Sequence, residues 1–336
     1  MVNVSGAQIN LDVTTIKTSA AFCNKIWQAS RFLLMAQQRK PQWRPKEPRF
    51  EFHSAALDIM HILKEETKVA KFAQHKQTRV NFDFLYYSGT GLSLSDRWIL
   101  DQCAQTVKAV NGHWSGKQFH LLTRSLRHFM YSCLCDVYVE ATKSILNEPN
   151  HPQFDPTLET LFTCLTTGLR LLHPLMPFLT EELHQRLHSA CHSPCQSIMI
   201  EPYPLPENWQ KWVDPEVTHQ MEACLEMNSA IRAIKTQYGL SRRHLPEVLI
   251  MTEKAEMMRQ SAQLIQTLAP CGHLEVTESC AGRDLSRWCD LDLPTGRLHV
   301  KLEGLVDVQR EMKRISQRLC KLEKEGGQSK PKYSRV

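Results

Sequence analysis

Thr157-Leu-Glu-Thr-Leu-Phe-Thr-Cys-Leu-Thr-Thr-Gly-Leu-Arg-Leu-Leu-His173 is the stretch whose reading decides the fold. Leu158, Leu161, Phe162, Leu165, Leu169 and Leu172 recur at helical spacing, so one face of a helix over 157–173 is apolar. Pro174 and Pro177 interrupt it, because proline has no N–H to donate and its ring clashes with the preceding turn. Thr180 is the expected cap of the next short helix, with Glu181 and Glu182 in its first turn and Leu183 and Leu187 inward.

The same pattern extends on both sides. Residues 16–36 predict a helix on Ile16, Ala20, Cys23, Ile26, Trp27, Phe32, Leu33 and Leu34. Ser95 is the expected cap of a helix on Trp98, Ile99, Cys103, Val107 and Val110 that ends at Asn111-Gly112. Residues 117–146 predict a single long helix whose first half carries Arg124, Arg127 and His128. Residues 215–238 predict another, on Val217, Met221, Leu225, Met227, Ile231 and Ile234. After Gly239 the periodicity changes. Val248-Leu-Ile-Met251 and the alternation of Leu298, Val300 and Leu302 read as strands around a helix over 254–268. Met312, Ile315, Leu319 and Leu322 then form a short coiled-coil seam flanked by Lys313, Arg314, Arg318, Lys321 and Lys324. The expected fold class is mainly α: a helical bundle over 16–238, a small α/β region over 239–308 and a basic coiled-coil arm over 309–336.

Composition agrees. Hydrophobic residues are 42% and charged residues 23% of 336, ordinary globular usage. The 13 glycines are about half the usual share, which disfavours a turn-rich β fold. No stretch approaches the roughly 20 apolar residues that span a bilayer, and the first residues carry neither a basic nor an apolar signal segment. The 12 cysteines are scattered singly and read as reduced, mostly buried thiols of a cytoplasmic protein.

The net charge of +6 is unevenly placed. Residues 309–336 hold nine basic and three acidic residues, and residues 1–95 hold 13 and seven, while 96–308 carry a net −6. Two basic ends are the electrostatic footprint of a protein that touches phosphate; a solvated helix face plus a tail is the plainer alternative.

Residues that could carry chemistry are few. His184, His188, Cys191, His192 and Cys195 crowd together, but their spacing differs from the usual paired zinc ligands and Pro194 breaks any helix carrying them all, so no metal is expected. Cys133 and Cys135, two apart, fall on opposite helix faces. Gly89-Thr-Gly91 reads as a turn. No nucleotide-binding loop, nucleophile elbow or dinucleotide fingerprint occurs, and no catalytic residue is assigned.

Several collinear segments resemble valyl-tRNA synthetases. They are Gly6-Ala-Gln-Ile-Asn-Leu-Asp12, Phe22-Cys-Asn-Lys-Ile-Trp-Gln-Ala-Ser-Arg-Phe32, Asp96-Arg-Trp-Ile99, Leu134-Cys-Asp-Val-Tyr-Val-Glu140, Gly168 to Leu183, Ser197 to Pro204 and Leu302-Glu-Gly-Leu-Val-Asp307. Their wording is nearer the cytosolic eukaryotic form. The resemblance implies an anticodon-binding helical bundle of a class I aminoacyl-tRNA synthetase and the start of its arm, with residues 1–15 as the junction to a catalytic domain and 46–90 as an insertion. The family's HIGH and KMSKS signatures do not occur in these 336 residues. The chain is therefore expected to be inactive alone, with no cofactor of its own and ATP bound only by the catalytic domain. The partner it implies is tRNA, valine-specific, with a catalytic domain or synthetase complex as a second partner and no membrane. Asn24, Lys25 and Arg31 are the candidate readers of the loop: Asn and Arg pair with base edges and Lys suits phosphate. Trp27 and Phe32 are expected to pack inward. Lys313, Arg314, Arg318 and Lys321 are the candidate phosphate contacts. The rival reading is a helical protein–protein adaptor.

Overall fold

A computed structural model describes residues 13–45, 91–191, 197–241, 243–279, 285–286, 288–306 and, near the C-terminus, 309, 312–314, 316–317 and 319–320. The junction before residue 13, the insertion at 46–90, and Arg318 and Lys321 lie outside the described residues. The described residues form two compact units, one ending at Met221 and the other beginning at Glu222.

The first unit is helical. Helix α1 (Val13–Arg39) buries Phe22, Ile26, Ala29, Leu33 and Ala36, a four–three alternation that gives one apolar stripe. Helix α2 (Leu94–Ser115) starts two residues earlier than the sequence pattern predicts. Its cap is Ser93, not Ser95: the Ser93 hydroxyl accepts the Asp96 N–H at 3.1 Å while the Asp96 carboxylate accepts the Ser93 N–H at 3.1 Å. This reciprocal pair needs an acid three residues after the cap, which Ser93 has and Ser95 lacks. The helix also runs past Gly112 to a turn at Gly116, because nothing crowds Gly112 and its backbone stays helical.

The long helix expected over 117–146 is three pieces: α3 (Phe119–Arg127), a π-helical segment (His128–Tyr138) and α4 (Val139–Asn147). The π segment buries Phe129, Met130, Cys133, Leu134, Cys135 and Tyr138 together. Cys133 reaches Gln102 and His128, while Cys135 points to the Lys25 carbonyl, so the two thiols do not share a partner. Burial pushes both up to about 12.

Helix α5 (Phe154–Leu172) is buried along nearly its whole length and packs against α1, α2, α4, the π segment and α6 (Pro177–Ala190). A methyl added at Gly168 would fall 2.2 Å from Met130 Sδ, so this crossing depends on a bare backbone. Pro177 opens α6, with no side-chain cap. Thr180 lies within the first turn instead. Its hydroxyl donates to the Met176 carbonyl at 2.9 Å and lies within hydrogen-bond distance of His173 Nδ1, at 2.7 Å. A 3-10 turn (Ile198–Ile200) and the short helix α7 (Pro206–Trp209) lead to α8 (Pro215–Gln237). The buried Asp101 carboxylate on α2 accepts from the Asp214 N–H at 3.0 Å and from the Thr218 hydroxyl, fixing where α8 begins.

The second unit contains the rest of α8 and a four-stranded sheet, β1 (Val248–Met251), β2 (Leu274–Thr277), β3 (Trp288–Leu293) and β4 (Gly296–Lys301), ordered β2-β1-β4-β3. β1 and β2 are parallel and are joined through α9 (Ala255–Gln260) and α10 (Ala262–Leu268); the other pairings are antiparallel. Strands β2 and β3 are additions to the sequence reading, and the single helix expected there breaks at Ser261. Gly296 sits at φ +146 with the Met251 carbonyl 2.4 Å from where a Cβ would stand, so the β3–β4 turn requires glycine. On α8, Arg232 donates to the carbonyl of Leu268, the last residue of α10, and Lys235 to that of Pro270 just beyond it. Mainly helical with one small mixed sheet is thus the architecture.

Candidate nucleic-acid interface

Lys17, Asn24, Gln28, Arg31 and Gln38 form an exposed polar stripe along α1, opposite its buried face. Their successive spacings are seven, four, three and seven residues, so they share a solvent-facing side. Gln28 Nε2 donates to Asn24 Oδ1 at 3.5 Å. Two of the three expected readers, Asn24 and Arg31, therefore lie together on an open surface.

Lys25 is placed differently. Its ammonium pairs with Asp136 of the π segment at 2.5 Å and lies 5.2 Å from the centre of the Tyr131 ring. The Asp136 bond is the main reason its pKa is raised above the ordinary lysine value. On the same Tyr131 ring sits the Arg127 guanidinium, 5.9 Å away, which also lies 6.0 Å from Phe22. Two cations thus flank one half-buried tyrosine at the junction of α1 and the π segment. Arg124 and His128 are exposed nearby on the same chain segment. The sequence pattern over 117–146 places Arg124, Arg127 and His128 in the first half of one helix; it does not single out Tyr131, which stands four residues after Arg127.

Trp27 and Phe32 are half-buried rather than core. Trp27 carries the Arg186 guanidinium 5.3 Å from its ring, itself paired with Glu182 at 2.6 Å. At the end of α2, Trp114 and Phe119 are exposed and meet edge to face, with centroids 5.6 Å apart. At the other end of the chain, Lys313 lies in a region of exposed residues, and Met312 and Leu319 of the expected seam are 64% and 54% exposed. Ile315, Arg318, Lys321 and Leu322 lie outside the described residues, as do His192 and Cys195.

A further cluster lies where α6 meets the 3-10 turn. His184 and His188 are buried with ring centroids 4.0 Å apart, and His184 Nε2 is 3.6 Å from Glu201 Oε1. Arg170 of α5 pairs with the other Glu201 oxygen. Burial is the main cause that lowers the His188 pKa below the ordinary histidine value, which favours the neutral ring.

Residues 96–250 match the model of the anticodon-binding domain of tRNA ligase. Across nearly the whole chain, a valine–tRNA ligase of Rattus norvegicus is 31% identical over 92% of these residues, and a mitochondrial valine–tRNA ligase of Sus scrofa is 32% identical over 96%. The chain carries the anticodon-binding domain of the valine–tRNA ligase family. The human valine–tRNA ligase is 30% identical over 92% of the chain. The chain spans about a quarter of the length of these relatives, 22% of the rat and human proteins and 27% of the pig protein. Mitochondrial and other relatives match it at nearly equal identity, so identity does not separate the two forms. Within this anticodon-binding domain, α2 opens the matched region at Asp96 and β1 closes it. The α1 stripe precedes the match. Among the described residues, no helix is long and apolar enough to cross a membrane.

Proposed function

We propose that the chain binds tRNA through its helical unit and serves valyl-tRNA aminoacylation together with a valine–tRNA ligase catalytic domain, in the cytoplasm. The observation that carries this reading is the open α1 stripe of Asn24, Gln28 and Arg31 beside the Lys25–Tyr131–Arg127 cluster. An anticodon loop offers splayed bases and phosphates. Amide and guanidinium groups read base edges, cations hold the backbone, and ring faces accept bases by stacking. ATP belongs to the catalytic domain in this reading, and this chain takes no cofactor for binding.

The test is fluorescence anisotropy with a valine tRNA and an anticodon-swapped control across a salt series. Binding that weakens with salt and favours the valine anticodon supports the reading. Asn24→Ala with Arg31→Ala reduces that preference by about 1–3 kcal/mol for each lost base contact. Equal, salt-independent binding of both RNAs refutes it.

One observation favours the adaptor reading as the second choice. Phe178 is 91% exposed at the start of α6, and Met199 and Ile200 are also exposed on the 3-10 turn that packs on that helix. Exposed apolar groups of this size suit a protein partner such as a catalytic domain or synthetase complex.

A further inference from the structure

Independently of the tRNA reading, we propose that His184, His188 and Glu201 bind one divalent transition-metal ion, zinc by the chemistry of the donors, which staples α6 to the segment that follows Ile200. His184 and His188 are one helical turn apart, so both rings leave the same face of α6. Glu201 follows directly on the 3-10 turn. One ligand atom from each of the three lies within 4.8 Å of the others. Two ligands at zinc bond lengths of about 2.0–2.2 Å and a tetrahedral angle stand roughly 3.3–3.6 Å apart. The His184 Nε2 to Glu201 Oε1 separation of 3.6 Å already has that value.

The surrounding bonds orient the donors. His188 Nδ1 lies 2.9 Å from the His184 carbonyl oxygen. A carbonyl only accepts, so Nδ1 carries the proton and Nε2 of the neutral ring holds the lone pair a metal needs. Arg170 occupies Glu201 Oε2 and leaves Oε1 turned toward the imidazoles. The Glu181 carboxylate accepts from the Ser197 hydroxyl at 2.9 Å and the Ile198 N–H at 3.1 Å, which holds the returning segment against α6. The Phe162 ring meets His188 edge to face and fixes its plane.

The Arg170 charge opposes a dication, and it is the largest unfavourable feature of the site. It acts on the carboxylate oxygen away from the metal position, and the two imidazoles bring no charge of their own. Two imidazoles and a carboxylate suit zinc and its neighbours, whereas copper(I) prefers thiolates. Three protein donors leave the fourth tetrahedral position to a water molecule. The sequence crowds His184, His188, Cys191, His192 and Cys195 together, a set from which no metal is expected, and Glu201 stands apart from them along the chain. Only folding brings Glu201 back.

The full chain, stripped with a chelator, is titrated with zinc chloride by calorimetry, and the zinc-loaded protein is measured by X-ray absorption at the zinc edge. The expected result is one saturable site with nitrogen and oxygen donors, weakened by about tenfold or more in both His188→Gln and Glu201→Gln. Because His188 is buried and its variant can unfold, Glu201→Gln is the decisive substitution, with its fold checked by circular dichroism. Sulfur donors in the absorption spectrum, no saturable site, or unchanged affinity in folded Glu201→Gln each overturn the proposal.

Discussion

The Tyr138 hydroxyl donates to the Asp96 carboxylate at 2.6 Å in the interior of the helical unit, where both side chains are wholly buried. Asp96 also accepts from the Ser93 N–H and hydroxyl and from Thr157 at 3.3 Å, so one carboxylate ties the start of α2 to the π segment and α5. Tyr138→Phe removes one of these bonds and leaves the acid less satisfied. It should cost about 1.5–3 kcal/mol, the range for bonds to charged groups. Urea unfolding checks this; a loss below about 0.5 kcal/mol contradicts the role given to this hydroxyl.

Asp96 also has a signed pH dependence. Burial, the largest cause, raises its pKa above the ordinary carboxylate value against the lowering effect of its hydrogen bonds. The folded state therefore holds this proton more tightly than the unfolded state. The contribution is present below the ordinary carboxylate value and is lost as pH rises through the folded pKa. Asp96→Asn has no such proton. Its stability deficit relative to the parent should narrow as pH rises through that window, and a deficit that widens over the same range refutes the assignment. Melting temperatures across pH measure it.

Gly168→Ala distinguishes helix propensity from packing. In a helix interior alanine is favoured over glycine by about 1 kcal/mol. Here the new methyl meets the buried Met130 thioether, and overpacking costs about 1–3 kcal/mol. The expected outcome is a net loss of about 1 kcal/mol, and that loss should disappear when the same substitution is made in a Met130→Ala background, where the thioether is gone. A more stable single variant shows that the crossing is loose.

Asp136→Asn frees Lys25. Both side chains of the pair are about two-fifths exposed, 42% and 41%, so stability should fall by less than about 1 kcal/mol. If Lys25 faces RNA phosphate, binding tightens and the slope of log affinity on log salt steepens by about 0.7–0.9. The anisotropy titration reads this directly, and an unchanged slope removes Lys25 from the interface.

Replacing Lys313, Arg314, Arg318 and Lys321 with Gln tests the basic arm. Residues 309–336 carry nine basic and three acidic residues. About three to five phosphate contacts give a parent slope of roughly −2 to −5, and the variant should flatten it while weakening all tRNAs alike. Equal affinity and slope in the variant would move the phosphate contacts away from the arm and favour the adaptor reading.

Much of this was legible in the chain because it is local. Helical spacing of Leu158 to Leu172, the prolines after His173 and the short apolar run at Val248 mark their elements, since an amphipathic helix or a buried strand shows its period without knowing its neighbours. The family segments and the basic ends were equally readable. Boundaries were less so. The expected cap at Ser95 falls two residues late, because Ser93 is the hydroxyl with an acid three residues on, and the break at 128 within the expected helix over 117–146 is a matter of backbone pairing that the apolar stripe does not encode.

Pairings between distant residues were decided by tertiary structure alone. Asn24 and Lys25 are neighbours of similar polarity in sequence, yet one is open to solvent and the other is tied to Asp136, 111 residues away. Glu201 meets His184 only after the chain turns back at the end of α6. Weak strands such as Leu274–Thr277 form because β1 is there to pair with them. Periodicity is a property of a single segment, so sequence determined which face of each helix turns inward. Partnership is a property of two segments meeting in space, so only the packed fold determined which charges are paired, which cations are free and which polar groups converge.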